Sequence, residues 1–335
     1  MESKDPLLDI INLNKYFPLR SGIIDLITFK TSKKIKVIDN INLKLYKGEI
    51  LVIAGESGSG KTTLAKLIMR SIDSDSGKII FNDNEITQLR GKELLKIRSR
   101  IQMIFQDPYS SLDPRMKIFD IIKEPLEVHK KKLSKIEIRE CIESNLKKVN
   151  LDPDEVSHKF PHMLSGGQRQ RVSFARALVL KPFLIIADEP VSMLDVSIRF
   201  QILELMKKLR DEENVSFLYV THDLSTSRYI GDSIAIMYAG RIVEAGQVDK
   251  ILLKPMHPYT QALINAIPRP GPENLQKEKH VSLQHGTMAA ETGCRLYFRC
   301  PYSMNICRKE PELYEPEKLH KVSCFLYAPS YQQPR

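Results

Sequence analysis

Residues 55–62 carry the clearest chemical pattern in the sequence, because GESGSGKT fits G-x-x-x-x-G-K-[ST] at every defined position. Glycines allow a tight turn whose backbone N–H groups point at phosphate oxygens, and the helix that follows would add its positive end. Lys61 would reach the outer phosphates and the Thr62 hydroxyl would ligate Mg²⁺. The residues predicted to hold the nucleotide are Gly55, Glu56, Ser57, Gly58, Ser59, Gly60, Lys61, Thr62 and Thr63.

A second candidate for phosphate chemistry is the acidic pair Asp188–Glu189, which follows the apolar run Leu184–Ala187. Asp188 would hold Mg²⁺, and Glu189 would orient or deprotonate an attacking water, since phosphoryl transfer depends mainly on positioning and charge stabilisation. The alternative is that the acidic pair only caps the end of a strand and has no catalytic role. The phosphate-loop pattern elsewhere in the chain favours the catalytic interpretation.

A third motif, Leu164-Ser165-Gly166-Gly167-Gln168, separates this chain from other phosphate-loop proteins. Here the sequence resembles the ATP-binding-cassette (ABC) family, whose signature has these five letters. The resemblance implies that Ser165 and the Gly167 N–H, at a helix N-terminus, face the γ-phosphate of an ATP held by the opposite subunit. Gly166 and Gln168 complete the same predicted ATP contact.

Shorter stretches of the chain also match motifs of the ABC family, and they occur in the same order along the sequence as in that family. The resemblance implies that Gln106 senses Mg²⁺ and the lytic water and links to a membrane partner. It places Asp195 in a loop that crosses the dimer interface, although Met193 stands where the family usually has alanine. It makes His222 the histidine that contacts the γ-phosphate. Each would be an ordinary polar loop residue if it stood alone. The predicted catalytic residues are therefore Glu189, His222 and Gln106, and the predicted Mg²⁺ ligands are Thr62, Gln106 and Asp188.

An aromatic ring shortly after the first strand stacks on adenine in this family. Phe17 aligns best with that position and Tyr16 is the alternative, and one of the two rings is expected to be core.

The surrounding elements predict an α/β fold. Ile50–Ala54, Leu184–Ala187 and Val215–Val220 are short apolar runs typical of buried parallel strands. Turn residues Ala239–Gly240 predict a hairpin. The family resemblance implies a P-loop NTPase with a RecA-like core, an antiparallel β subdomain and a helical subdomain. We place the ABC ATPase domain at 7–256, its helical subdomain at about 107–180, and a small Cys-containing C-terminal domain at 257–335.

Three further stretches resemble the ATPases of oligopeptide, dipeptide and nickel importers: 102–116, 189–198 and His257-Pro258-Tyr259-Thr260-Gln261-Ala262-Leu263. This branch implies a subunit that uses ATP hydrolysis to energise import of peptides or a related small solute. Its implied partners are a second ABC ATPase as a heterodimer, two transmembrane permease subunits and an extracytoplasmic solute-binding protein. The implied location is the cytoplasmic face of the membrane. The cargo is not readable from these motifs.

Four cysteines, Cys294, Cys300, Cys307 and Cys324, cluster near the C-terminus. A cytosolic chain is kept reduced, which disfavours disulfides. Structural zinc sites use tighter cysteine pairs than these. Four thiolates at looser spacing also suit an iron–sulfur cluster. The spacing resembles the tail of peptide-importer ATPases in which a [4Fe–4S] cluster is implied, so we expect that cofactor, with zinc and no metal as the alternatives.

The composition sets limits on the class of protein. The chain has 335 residues, 42% hydrophobic and 27% charged, which is typical of a globular protein. No run approaches the ~20 apolar residues of a membrane span, and the N-terminus lacks a secretory pattern, so a cytosolic protein is expected. The net charge of +10 suits a polyphosphate, an anionic membrane or nucleic acid.

An ABC ATPase acting on nucleic acid is the rival hypothesis. The chain lacks the long coiled coil and second cassette of that class, so no nucleic-acid partner is expected. A cassette that binds ATP without turnover is a third hypothesis, disfavoured by the intact Glu189.

Overall fold

The computed structural model describes residues 5–18, 34–107, 111–129, 133–267, 283–284 and 289–329, which form two sheets and a set of helices. The strands are β1 (Leu8–Pro18), β2 (Lys34–Leu45), β3 (Ile50–Ala54), β4 (Ser76–Phe81), β5 (Asn84–Glu85), β6 (Ile101–Ile104), β7 (Leu184–Asp188), β8 (Ser216–Thr221), β9 (Ser233–Tyr238), β10 (Arg241–Gln247), β11 (Tyr314–Glu317) and β12 (His320–Val322). The helices are α1 (Lys61–Ile68), α2 (Gly91–Arg100), α3 (Ile118–His129), α4 (Lys135–Lys148), α5 (Pro153–Val156), α6 (Gly166–Leu178), α7 (Val196–Glu213), α8 (Leu224–Ile230), α9 (Val248–Leu253) and α10 (Pro258–Asn265).

The larger sheet has the order β11-β12-β10-β9-β3-β8-β7-β6, and its strands from β9 to β6 are parallel. Its strand β3 is buried at every residue. Successive side chains of a strand point to opposite faces, so Val52 packs into the core on one face and Ile53 into the core on the other. The predicted buried parallel strands are confirmed, with the third one residue later in the chain, at 216–221.

An antiparallel sheet and α1 cover one face of the larger sheet. The antiparallel sheet has the order β2-β1-β4-β5. Apolar side chains of β1 such as Leu8 and Leu13 share a core with Leu64 and Leu67 of α1 and with Ile53 of β3. This is the antiparallel β subdomain that the family resemblance implies.

Strands β9 and β10 form the predicted hairpin, because Tyr238 pairs with Arg241 across a two-residue turn. Both turn residues have positive φ, 44° at Ala239 and 85° at Gly240, as a type I′ turn requires. Strand β10 continues to Gln247.

Helices α3 to α6 cover the other face and lie within the predicted helical region. Ser134 starts α4 with a capping box, in which its hydroxyl accepts from the Glu137 N–H and the Glu137 carboxylate accepts from the Ser134 N–H. Within the described residues, no helix combines the length and the apolar character that a bilayer crossing requires. The subdomain bounds of about 107 and 180 stay a prediction.

The C-terminal residues add strands to the larger sheet, because β12 pairs antiparallel with β10 and β11 pairs with β12. The fully buried Glu244 carboxylate on β10 accepts from the N–H groups of Met256 and His257. It also lies 2.7 Å from Nε2 of the fully buried His320 on β12. The proline-rich linker expected near 268–272 lies outside the described residues, and the domain boundary at 256/257 stays a prediction.

Asp39 on β2 ties the antiparallel sheet to the C-terminal region. Its buried carboxylate accepts from Arg241 Nε on β10 and from Arg295 Nη2, each at 2.6 Å, and also pairs with Lys36. Burial opposes ionisation, but these three cations outweigh it and lower the pKa of Asp39 to about 2. Arg241 in turn pairs with Glu310, so this network joins three parts of the chain.

Candidate nucleotide-binding and hydrolytic site

The carboxyl ends of three neighbouring parallel strands converge at one edge of the larger sheet. The phosphate loop, residues 55–62, follows β3, Asp188 ends β7, and His222 follows β8. The carboxyl edge of a parallel sheet is where such folds bind ligands. The topology therefore brings together three motifs that are far apart in the sequence.

Lys61 lies inside the phosphate loop and is only 6% exposed. Its ammonium donates to the carbonyl oxygens of Gly55 at 2.8 Å and Glu56 at 2.9 Å. An ammonium has three donors, so one remains for a phosphate oxygen. Burial lowers the pKa of Lys61, and the carboxylates of Glu189, Asp188 and Glu56 oppose that shift. The cation thus crosslinks the loop and lies within the electrostatic influence of the acidic pair.

Two loop glycines are required by close backbone approach. A Cβ on Gly55 would lie 2.1 Å from the Met237 carbonyl oxygen on β9. Gly60 has φ of 106°, and a Cβ there would lie 2.9 Å from the Val37 carbonyl oxygen. The loop therefore lies directly against the backbone of β2 and β9, which explains the glycines on packing grounds as well as chemical ones.

Thr62 and Asp188 form a candidate Mg²⁺ site. Asp188 is 5% exposed, and its Oδ1 atom has no hydrogen-bond partner among the described residues. Burial raises the pKa of Asp188, and a hydrogen bond with the Thr62 side chain acts in the opposite direction. A buried carboxylate oxygen without a donor is costly unless a cation or water satisfies it. Mg²⁺ commonly takes one or two protein oxygens together with phosphate oxygens, so these donors fit the ion.

Glu189 accepts a hydrogen bond at one carboxylate oxygen and faces a histidine at the other. The Gln106 amide nitrogen donates to Oε2 at 3.0 Å, and Nδ1 of His222 lies 2.9 Å from Oε1. Glu189 has a positive φ of 47°, an unusual backbone conformation for a residue of this type, and its N–H donates to the Val220 carbonyl. The three predicted catalytic side chains therefore meet in one cluster. The role of Gln106 toward Mg²⁺ stays a prediction.

The signature motif forms a separate half-site at the start of α6. Ser165 is the N-cap, its hydroxyl accepts from the Gln168 N–H, and the Gln168 side chain accepts from the Ser165 N–H. Gly167 has no room for a Cβ, which would lie 2.6 Å from Ile198. Ser165 is exposed, and no hydrogen bond within the described residues joins 165–168 to the phosphate loop. The N-terminus of α6 is thus exposed, and a helix N-terminus of this kind is suited to bind an anion.

The remaining predicted contacts lie on exposed surfaces. Asp195 precedes α7, and its side chain makes no capping bond to that helix. Phe17 and Tyr16 are 38% and 36% exposed, under the ammonium groups of Lys15 and Lys36 respectively. The expectation that one of the two rings is core is wrong, because both lie at the surface. Which ring meets adenine stays a prediction.

The expected [4Fe–4S] cluster is a wrong prediction. Cys294, Cys300, Cys307 and Cys324 do come together, but they line a cavity of only about 10 Å³, room for about one water. Burial raises the pKa of Cys294 to about 11 and of Cys324 to about 12. In the described part of the chain, no three Cys, His, Asp or Glu residues are arranged to hold a metal ion. Cys307 and Cys294 pack as small apolar residues beside Phe325 and Ala328, and Cys300 belongs to the larger core.

Two residues that sequence reasoning missed also touch the phosphate loop. The Tyr259 hydroxyl accepts from the Glu56 N–H at 2.9 Å, and Arg299 donates to the Glu56 carboxylate at 3.4 Å. Tyr259 lies in the HPYTQAL motif, which marked the branch of the family without indicating this contact. Nothing in the local sequence around Arg299 indicates it.

Comparison with protein families identifies two matching regions. The ABC transporter family matches residues 38–192, and the family described as oligopeptide/dipeptide transporter, C-terminal region, matches residues 243–307. The second match begins within β10, upstream of the predicted boundary at 257.

Similar proteins extend over almost the whole chain. The oligopeptide transport ATP-binding protein OppF of Escherichia coli (strain K12) is 40% identical over 332 residues, which cover 98% of each chain. The dipeptide transport ATP-binding protein DppF of Haemophilus influenzae is 39% identical over 335 residues, covering 97% of this chain and 98% of that protein. Among solved structures, the dimer of the cassette MJ0796 bound to ADP and Pi is 30% identical, with a TM-score of 0.63, and covers 72% of this chain and 98% of that one.

Proposed function

The chain belongs to the ATP-binding subunits of ABC transporters of the oligopeptide/dipeptide kind, and we propose that it hydrolyses ATP to energise the import of peptides or a related small solute. The observation that carries this proposal is the Glu189 carboxylate, held between Gln106 and His222 at the edge of the sheet that carries the phosphate loop.

Within one subunit, the chain's own groups divide the work. The buried Lys61 ammonium has a free donor for the phosphates, and the loop N–H groups add to it. Mg²⁺, held by Thr62 and Asp188, would neutralise charge on the transferred phosphoryl group. Glu189 takes a proton from the attacking water or orients it, and Gln106 and His222 fix the carboxylate that does so.

A second subunit completes the site in this proposal. Ser165 and the start of α6 form an exposed anion-binding end that the phosphate loop of the same chain does not contact by hydrogen bonds within the described residues. The solved cassette MJ0796 is a dimer in its ADP- and Pi-bound form, which supports pairing of two cassettes. We expect Ser165, Gly166, Gly167, Gln168 and Asp195 to face the nucleotide held by the partner. A second ABC ATPase, forming a heterodimer with this chain, is the partner that the branch implies.

A groove of about 760 Å³ lies beside Gln106 and suits a permease segment. It runs between β6, α3 and α6, and the exposed Phe105 and Val128 contribute to its lining. Phe105 is the neighbour of Gln106, so a segment seated there would be coupled to the residue that holds Glu189. We expect each of two permease subunits to insert one segment into such a groove, which places this chain at the cytoplasmic face of the membrane. We also propose an extracytoplasmic solute-binding protein as a partner of this complex.

The test is isolation of the native complex from membranes by an affinity tag on this chain, with mass spectrometry of proteins and of bound solute. We expect a second cassette subunit, two permease subunits and peptides. Reconstitution in proteoliposomes together with the proposed solute-binding protein should give ATP-dependent peptide uptake, absent with Glu189→Gln. Recovery of nucleic acid and its processing proteins without any membrane subunit would overturn the proposal.

A further inference from the structure

The C-terminal region contacts the phosphate loop through Tyr259 of α10. The Tyr259 side chain is fully buried, and its hydroxyl accepts from the Glu56 N–H at 2.9 Å. Its ring packs against Tyr238 with ring centres 4.5 Å apart. Burial raises the pKa of Tyr259, so the hydroxyl stays neutral. The N–H of Glu56 therefore has a fixed partner before any phosphate arrives.

Arg299, further along the C-terminal region, reaches the same loop residue. Its Nη1 atom lies 3.4 Å from the Glu56 carboxylate and 3.3 Å from the Tyr238 hydroxyl. Glu56 is thus held at three polar groups: its N–H by Tyr259, its carboxylate by Arg299 and its carbonyl by Lys61. The Glu56 carboxylate is partly exposed, so the arginine contact is the weaker of the two from the C-terminal region.

A buried network fixes the position of Tyr259. His257 is the N-cap of α10, and its Nδ1 atom accepts from the Tyr259 N–H. Burial lowers the pKa of His257 to about 4, so the ring is neutral and can accept. The His257 N–H donates to Glu244, which also contacts His320 of β12. The position of the tyrosine hydroxyl therefore depends on β10 and β12 as well as on α10.

We propose that Tyr259 and Arg299 are positioning residues that hold the first turn of the phosphate loop, so that the C-terminal region sets the affinity of the ATP site. The inference rests on the proposed function, since it concerns the same nucleotide site. A loop that is already ordered loses less conformational freedom when it binds phosphates. Without the Tyr259 hydroxyl, the Glu56 N–H would lose its partner and the loop turn would become less constrained.

The first test is Tyr259→Phe in the full chain, which removes the hydroxyl and keeps the buried ring. We expect ATP to bind about 3- to 10-fold more weakly, the size of one net hydrogen bond. In the assembled complex, KM for ATP should rise by a similar factor. The value of kcat should change less than about twofold, because Glu189, Gln106 and His222 are untouched.

Tyr219→Phe is the matched control. Tyr219 is also fully buried, but its hydroxyl donates to Thr226 at 3.0 Å and does not contact the phosphate loop. We expect the control to lower Tm by a comparable amount while the Kd for ATP stays at the wild-type value. Equal loss of ATP affinity in both variants would reduce the effect of Tyr259 to general destabilisation and would overturn the proposal.

A double-mutant cycle tests the arginine. Arg299→Gln and Glu56→Gln should each weaken ATP binding by about 2- to 3-fold, as expected for a partly exposed charged pair. The double variant should be no weaker than the stronger single one, since both changes remove the same contact. If the fold-losses of ATP affinity in the two single variants multiplied in the double variant, the pairing of Arg299 with Glu56 would be refuted.

The outcomes separate this inference from the proposed function. If wild-type protein binds no ATP, the proposed function fails. If the wild type binds ATP and Lys61→Ala does not, but Tyr259→Phe binds with wild-type Kd and KM, then only the positioning role fails.

Discussion

Replacing Glu189 with glutamine tests whether its carboxylate acts as the base, because the substitution changes the chemistry of the side chain and keeps its position. The two side chains have nearly the same shape, and Glu189 uses one oxygen toward Gln106 and the other toward His222. An amide at residue 189 can keep both contacts if the Gln106 amide turns over to present its oxygen, since each amide carries a donor and an acceptor. The substitution should therefore remove basicity and leave the site assembled.

The expected magnitude follows from that reasoning. A general base contributes typically ~10²–10⁴-fold to rate, or about 3–5 kcal/mol of activation free energy. We expect kcat for ATP hydrolysis to fall by a factor in this range. The Kd for ATP should stay within about twofold of wild type, because neither the phosphate loop nor Asp188 is changed. ATP should therefore remain bound and trap a closed dimer.

The assay measures phosphate release and bound nucleotide in the assembled complex. The partner cassette should carry the corresponding inactivating change in every sample, so that turnover comes only from this chain. Glu213→Gln is the matched control, because it makes the same chemical change at a surface glutamate paired with Lys148. It should hydrolyse ATP at the wild-type rate. Wild-type turnover by Glu189→Gln would refute the assignment of the base.

Three further predictions concern the loop and the network around Asp39. Lys61→Ala should abolish ATP binding in a direct binding assay, and retained binding would argue against the phosphate loop. Gly55→Ala should also abolish it, since its Cβ would meet the Met237 carbonyl at 2.1 Å. Gly48→Ala adds backbone strain at a φ of 72° but meets no neighbour within 4 Å, so this control should bind ATP normally. Asp39 has its pKa lowered from 3.8 to about 2 in the folded state, so the unfolded state binds the proton more readily. Its contribution of about 2 kcal/mol should be complete above pH ~4 and decline as the pH falls toward 2. Urea midpoints of wild type and Asp39→Asn should therefore converge as the pH falls from about 4 toward 2, and a constant difference would contradict this account.

Most of the nucleotide site is predictable because its signals are local. The phosphate loop needs a strand, glycines and a lysine within a few residues, and the acidic pair needs only the strand before it. Parallel neighbours then place both at the same sheet edge. The sequence could not show that Glu189 adopts a positive φ or that Gln106 and His222 share its two oxygens, because these contacts span 83 and 33 residues.

The C-terminal region was harder to predict for a physical reason. Its strand β12 has only three residues, too few for a periodic pattern, and it forms by pairing with β10 across more than seventy residues. The contact from Tyr259 to Glu56 spans 203 residues. Cysteine spacing led to a wrong prediction there, because spacing does not show whether the thiols surround a space large enough for a cluster.

The buried pair of Glu244 and His320 limits how the chain can be shortened. A protein ending before His320 would keep the Glu244 carboxylate inside the core without its imidazole neighbour. Glu244 would keep the Met256 and His257 N–H groups but lose one buried hydrogen bond, which costs about 1–3 kcal/mol, a large part of the stability of an ordinary domain. Trimmed versions made for crystallisation, and reporters fused in place of the tail, should therefore retain the residues through Val322.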